Sequence, residues 1–205
     1  MDQTELSGRI TLPEPLFKGK ILTEEALKRR RSVREYQDKP LTLEEISQLL
    51  WAAQGITGEY GMRTAPSAGA LYPIELYIVA GRVDGLAAGI YRYRPKGHEL
   101  QKIAEGDKRG ELYQAALEQE SLRDGAAAVV IAAVYGRTTR KYGGRGIMYV
   151  HMEVGGVAEN IYLQAVSLGI GTVFLGAFDD EMVKKVVNMA EGEEPLAIMP
   201  FGRIS

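Results

Sequence analysis

The sequence predicts a domain in which helices cover both faces of a buried sheet, and three observations predict it. "AAAVVIAAVYG" (126–136) reads as a strand with no polar face, so both its faces must be covered, as in the middle of a sheet. "GTVFLGAF" (171–178) and "PLAIMPFGR" (195–203) read as two further buried strands. Between Ile147 and Leu168, the residues Val150, Val154, Val157, Ile161, Ala165 and Leu168 recur at steps of three and four. That spacing predicts a helix of roughly 22 residues, about 33 Å long. Its apolar face is broad enough to lie in the core or to form half of a subunit interface.

The other elements follow in order. Residues 1–22, with Pro13 and Pro15, read as an extended arm with little regular structure, and residues 23–205 as one domain. "TEEALKRRRS" (23–32) predicts a short helix capped by Thr23, with Glu24 and Glu25 at its positive end and arginines in its last turn. Thr42 and Glu45 have capping-box spacing; Ile46, Leu49, Leu50 and Ala53 then give a helical stripe that stops at Gly55. "PIELYIVAG" (73–81) and "GIYRYRP" (89–95) read as strands. "RGELYQAALEQESLRDG" (109–125) and "DDEMVKKVVNMA" (179–190) read as helices, the second with an acidic start that suits its dipole.

Composition narrows the function. The formal net charge of -2 argues against nucleic acid or an anionic membrane as partner. With no cysteine there is no disulfide, thiolate catalysis or cysteine-ligated metal, and two distant histidines, His98 and His151, make no metal cluster. The polar start "MDQTELSGR" lacks an apolar h-region, and no apolar run is long enough for a membrane helix, so a cytoplasmic protein is expected. Phosphate-binding glycine motifs and the G-x-S-x-G elbow are missing, so any nucleotide-like cofactor needs a differently built site.

Four stretches can carry chemistry. "RRRSVREY" (29–36) crowds Arg29, Arg30, Arg31 and Arg34 around Ser32; guanidinium groups bind a phosphate through paired hydrogen bonds, although a solvated basic turn would look the same. "RTAPSAGALYPIE" (63–75) is a run of small residues able to approach a flat ligand, or a loop shortened by packing. "RKYGGRG" (140–146) reads as a flexible basic loop in which Lys141 and Tyr142 could supply a general acid or base. "FLGAF" (174–178) ends a strand with Gly176 and Ala177, small residues where sheets tend to place ligands. His151 reads as a hydrogen-bonded core or interface residue.

Taken in order, "RRSVREY", "LLWAAQGIT", "APSAGALYPIELYIV", "EQESLRDGAAAVVIA", the stretch from "KYGGRG" to "FLGAFDDE" and the terminal "IMPFGR" resemble the nitroreductase superfamily of flavin enzymes. The nearest likeness is to its SagB-type branch, which includes azoline dehydrogenases. The resemblance implies an α+β three-layer sandwich around a mixed sheet, an intertwined homodimer, and FMN at the subunit interface. Arg30, Ser32 and Arg34, with Arg31 between them, match the clamp for the FMN phosphate. Ser67, Ala68 and Gly69 match a loop that reaches the flavin from the partner chain. Gly176 and Ala177 match the backbone beside the reactive N5 edge, Gln119 a polar contact to the ring, and Arg203 a further phosphate contact. Lys141 and Tyr142 match an acid/base pair of azoline dehydrogenases. The chain departs from many nitroreductases, which read "PSSTNSQPW" where it has "PSAGALYPI", so Ala70 and Tyr72 replace an asparagine and a glutamine. The implied function is hydride transfer between NAD(P)H and a small organic acceptor by a ping-pong scheme. The alternatives are azoline oxidation on a modified peptide and a flavin-binding module without turnover.

Overall fold

A computed structural model describes residues 8–204; residues 1–7 of the expected arm, and Ser205, lie outside the described residues. The central sheet has seven strands: β1 (Arg9–Thr11), β3 (Ile74–Ala80), β5 (Gly89–Arg94), β6 (Glu99–Glu105), β7 (Ala127–Ala133), β8 (Ile170–Thr172) and β9 (Glu194–Arg203), in the order β1-β6-β5-β3-β7-β9-β8. A separate pair joins β2 (Leu41–Thr42) to β4 (Val83–Asp84). The helices are α1 (Thr23–Arg29), α2 (Leu43–Gln54), α3 (Arg109–Ala115), α4 (Glu120–Asp124), α5 (Tyr135–Tyr142), α6 (Arg145–Leu168) and α7 (Asp180–Val186).

Strand periodicity explains the layers. Side chains alternate across a strand. Leu76, Ile78, Val129, Ile131, Ala197 and Met199 therefore face one core, shared with α2 and α6. Tyr77, Val79, Ala128, Val130, Ala132 and Ile198 face the other, shared with α3, α4 and α7. The three-layer, α+β arrangement is thus as expected, but the sheet is not mixed. Every pairing in the seven-stranded sheet is antiparallel, and the β2/β4 pair is parallel.

Local signals held where they were strong. Thr42 Oγ1 accepts from Glu45 N–H and the Glu45 carboxylate accepts from Thr42 N–H, which completes the capping box of α2. Asp179 caps α7 through Met182 N–H. Several expectations need correction. Thr23 does not cap α1: Leu22 takes the N-cap position, without a side-chain bond, and Thr23 is already helical. The strand expected over 126–136 ends at Ala133, and Tyr135 and Gly136 open α5. The arm contains β1, which pairs with β6; its Leu12 is buried, and Pro13 and Leu16 are tied to Ser47 and Gln48 of α2. The helix expected over 109–125 is two short helices, broken where Leu117 and Glu118 take left-handed φ. The strand expected over 171–178 stops at Thr172, although Leu175 rejoins β9 through paired bonds with Ile198. Finally, "RKYGGRG" is not a loop: Arg140, Lys141 and Tyr142 form the last turn of α5, and only Gly143–Gly144 separates it from α6.

Candidate functional site

α1 ends at Arg29, which pairs with Glu25 one turn back, so the remaining arginines are not in a helical turn. The chain leaves the helix at Arg30 because the next residues have better partners on the sheet edge. Val33 N–H donates to Thr172 O (2.8 Å) and Gln37 N–H to Arg203 O (2.9 Å). Between these bonds the Tyr36 ring lies against Gly171 and Gly202, whose missing side chains make room for it. Its hydroxyl donates to Val33 O (2.7 Å), and burial pushes the Tyr36 hydroxyl well above the usual tyrosine range. Arg30, Arg31, Ser32 and Arg34 are therefore strung along an extended segment fixed at both ends.

Tyr162, 7% exposed on α6, ties this segment to the chain beyond β8. The Arg30 guanidinium lies over its ring, 5.0 Å from the centroid. Its hydroxyl shares a 3.0 Å hydrogen bond with Ser32 Oγ and accepts from Phe174 N–H at 2.8 Å. Two residues beyond Phe174 come Gly176 and Ala177, both exposed. Gln119 donates from Nε2 to Ala177 O (2.9 Å) and to Ala116 O (3.1 Å), so it steadies the backbone of that pair. Arg31 folds back onto the carbonyls of Lys28 and Arg30. Arg34 is exposed and, among the described residues, forms no ion pair. Arg203 differs: both its terminal nitrogens bond Glu45, at 2.6 and 2.8 Å, which commits its charge to the capping residue of α2.

The second group gathers at the other end of α6. Ser67, Ala68 and Gly69 form a tight turn with Gly69 at φ +64°, and Ser67 Oγ accepts from Tyr72 N–H (2.9 Å). A methyl group placed on Gly69 would lie 2.7 Å from Tyr142 Oη and 2.9 Å from Lys141 Nζ. The structure thus brings the loop together with the Lys–Tyr pair. Tyr142 is further packed edge-on against Tyr149, with 5.1 Å between ring centroids.

Beneath this loop lies a buried polar group that sequence reasoning missed. Gln54 Nε2, Arg63 Nε and Glu153 Oε1 are all buried without a hydrogen-bond partner. Burial raises the Glu153 carboxyl above its ordinary range, tempered by Ser67, Arg63 and Gln54; burial likewise lowers the Arg63 guanidinium. The signal was available, since Glu153 follows Val150 by three residues and adjoins Val154 in the apolar stripe of α6. Tyr162 was also missed as a site residue, because it reads as part of that stripe. His151 is exposed, with its Nε2 2.5 Å from Tyr135 Oη, and borders a cavity of about 270 Å³ with Val154, Phe174 and Leu196. A larger groove of about 770 Å³ runs between the arm and α2 and α6, and none of the catalytic or cofactor-binding residues expected from sequence lines it.

The two groups are anchored on one helix, with Glu153 and Tyr162 about 13 Å apart along its axis. The sequence profile of the Nitroreductase family matches residues 27–203. The chain belongs to the nitroreductase family. A protein of Methanocaldococcus jannaschii described as a nitroreductase is 49% identical over 183 residues, covering 89% of this chain and 91% of that one. A solved structure from Anabaena variabilis, also described as a nitroreductase, superposes with a TM-score of 0.84 at 32% identity; it covers 96% of this chain, which spans only 42% of that longer one. The microcin B17-processing protein McbC of Escherichia coli is 29% identical over 150 residues, 70% of this chain and 55% of its own. The microcin synthetase complex superposes with a TM-score of 0.74 over 94% of this chain.

As a nitroreductase the chain departs from the usual loop in a physically telling way. Ala70 and Tyr72, which replace asparagine and glutamine, take φ of 53° and 45°. Asparagine enters that left-handed region far more readily than alanine or tyrosine. The loop therefore holds strain of the kind that surrounding contacts must over-determine. Among the described residues no cluster of three metal-ligating side chains occurs, and no helix is long and apolar enough to cross a membrane.

Proposed function

We propose that this nitroreductase is an FMN-dependent oxidoreductase that works as a homodimer, passing hydride from NAD(P)H to a small organic acceptor in a ping-pong scheme. The observation that carries the reading is the tie through Tyr162. It joins a segment carrying half-buried Arg30 and exposed Arg31 and Arg34, suited to a phosphate, to the exposed small-residue backbone of Gly176 and Ala177, suited to a flat ring. That donor set fits a phosphorylated planar cofactor. Arg30, Ser32 and Arg34 would hold the phosphate end, and Gly176, Ala177 and Gln119 the ring end. Arg203 is left out of this clamp, because Glu45 engages it. FMN, when bound, supplies the hydride chemistry; the protein orients it and excludes water.

The split of the site along α6 supports the homodimer, in which the partner copy's Ser67–Gly69 loop would complete each site. So do Leu16 and Phe17 of the arm, 73% and 76% exposed, an apolar surface that a second copy would cover. Replacing Arg34 by alanine tests the clamp. FMN occupancy should fall strongly with the fold intact, and undiminished occupancy would remove Arg34 from the site.

A second reading is favoured by one specific observation, the meeting of Lys141 and Tyr142 with Gly69. Together with the likeness to McbC, it supports an azoline dehydrogenase of the SagB-type branch, in which these two residues move a proton on a peptide-borne ring. Lys141→Ala separates the readings. An NAD(P)H-driven reductase keeps its turnover in that variant, whereas an azoline dehydrogenase loses it.

A further inference from the structure

We infer that Arg137 is the positioning residue that docks Lys141 and Tyr142 against the Ser67–Gly69 loop, an inference that rests on the acid/base reading of that pair. Arg137 lies one helical turn before Lys141 on α5, so the two share a face. Its guanidinium reaches across to the far end of the loop. Nη1 donates to Tyr72 O at 2.9 Å and Nη2 to Glu75 Oε1 at 2.5 Å.

Each acceptor is itself placed. Tyr72 is the left-handed residue that closes the loop, and its N–H is held by Ser67 Oγ, while its hydroxyl accepts from Arg63 N–H at 3.3 Å. The Arg63 guanidinium covers its ring, 4.5 Å from the centroid. Glu75, at the start of β3, also binds Arg92 at 3.0 Å, and Arg92 binds the buried Glu193 at 2.5 Å. Arg137 is thus the link by which a short polar helix is fastened to a strained loop and, through Glu75, to the rigid sheet. α5 packs on α6: its Thr138–Thr139 backbone meets Gly146, Tyr142 lies edge-on to Tyr149, and Tyr135 shares a hydrogen bond with His151. Those contacts hold α5 to its neighbouring helix; the two Arg137 bonds hold the same helix to the far end of the loop, and so set the distance from Lys141 to Gly69.

Hydrogen exchange read by mass spectrometry on the full chain, as wild type, Arg137→Ala and Arg137→Lys, tests the inference. In R137A, exchange should rise about tenfold or more over residues 67–72 and 137–142, the equivalent of one lost charge-assisted hydrogen bond. Protection in β3 and β7 should hold. R137K keeps the charge without the two-pronged geometry and should recover only part of the protection. Amine labelling of Lys141 at a single pH gives a second, local readout: its rate relative to the other lysines of the same chain should rise in R137A and return part-way in R137K, whereas a general loss of stability would raise all of them together. Unchanged exchange in both segments, or a uniform rise that includes β7, would overturn the assignment. Neither readout involves flavin, so failure of the cofactor reading appears separately, as a colourless protein that takes up no FMN.

Discussion

Tyr162→Phe removes one oxygen atom and leaves the ring under Arg30 in place. That oxygen accepts from Phe174 N–H at 2.8 Å and shares a 3.0 Å bond with Ser32 Oγ, from a side chain that is 7% exposed. Two hydrogen bonds at about 1 kcal/mol each give a loss of about 2 kcal/mol. In a chain of this size that lowers Tm by about 4–8 °C. Thermal unfolding of the FMN-free protein by circular dichroism measures it, and urea unfolding should show a lower midpoint with an unchanged m-value. The freed Arg30–Ser32 segment must also be ordered again on binding, so FMN affinity should drop by about tenfold. A variant with Tm within about 1 °C of wild type and undiminished FMN affinity would show that Tyr162 does not tie the clamp to the Gly176–Ala177 backbone.

Other outcomes follow from the same geometry. Glu153→Gln should stabilise the fold increasingly as pH rises from about 4 toward 7: a carboxyl raised by burial contributes its stability at low pH and loses it on ionising. Melting curves of both proteins across that range check the sign, and a difference that shrinks with pH would contradict it. Gly202→Ala places a methyl group inside the Tyr36 ring, so Tyr36 must leave and the arginine segment with it. The loss should be about 3 kcal/mol or more by denaturant titration. Glu45→Gln should destabilise α2 by about 1–2 kcal/mol, because one carboxylate serves both the capping box and Arg203; unchanged stability would show that this junction is idle.

How much of this was legible in the sequence depends on how local each signal is. The α2 capping box, the α6 stripe and the apolar runs of β7 and β9 are written in neighbouring residues, and those elements are present, with β7 ending at Ala133, short of its expected end, because Tyr135 opens α5. Strand partners are not local. Nothing in "RIT" announces that Arg9–Thr11 pairs with Glu99–Gln101, or that the sheet is antiparallel throughout. "RKYGGRG" reads as a loop because it is basic and glycine-rich; its first three residues are helical as the end of α5, through contacts with α6 and the Arg137 bonds. The candidate site was legible as a set of segments, since arginines, small residues and a Lys–Tyr pair announce their chemistry. The groups that organise them were not. Tyr162 looks like core, Arg203 looks like a phosphate ligand until Glu45 is seen beside it, and Glu153 gains meaning only once Gln54 and Arg63 are found around it.

The most direct test of the central claim is the visible absorption spectrum of the purified protein, followed by identification of whatever is released on denaturation. A yellow protein that releases FMN in an amount equal to the chain is the expected result. A colourless protein that also fails to take up added FMN would contradict it, and would leave Arg30, Ser32 and Arg34 as a solvated segment on the edge of the sheet.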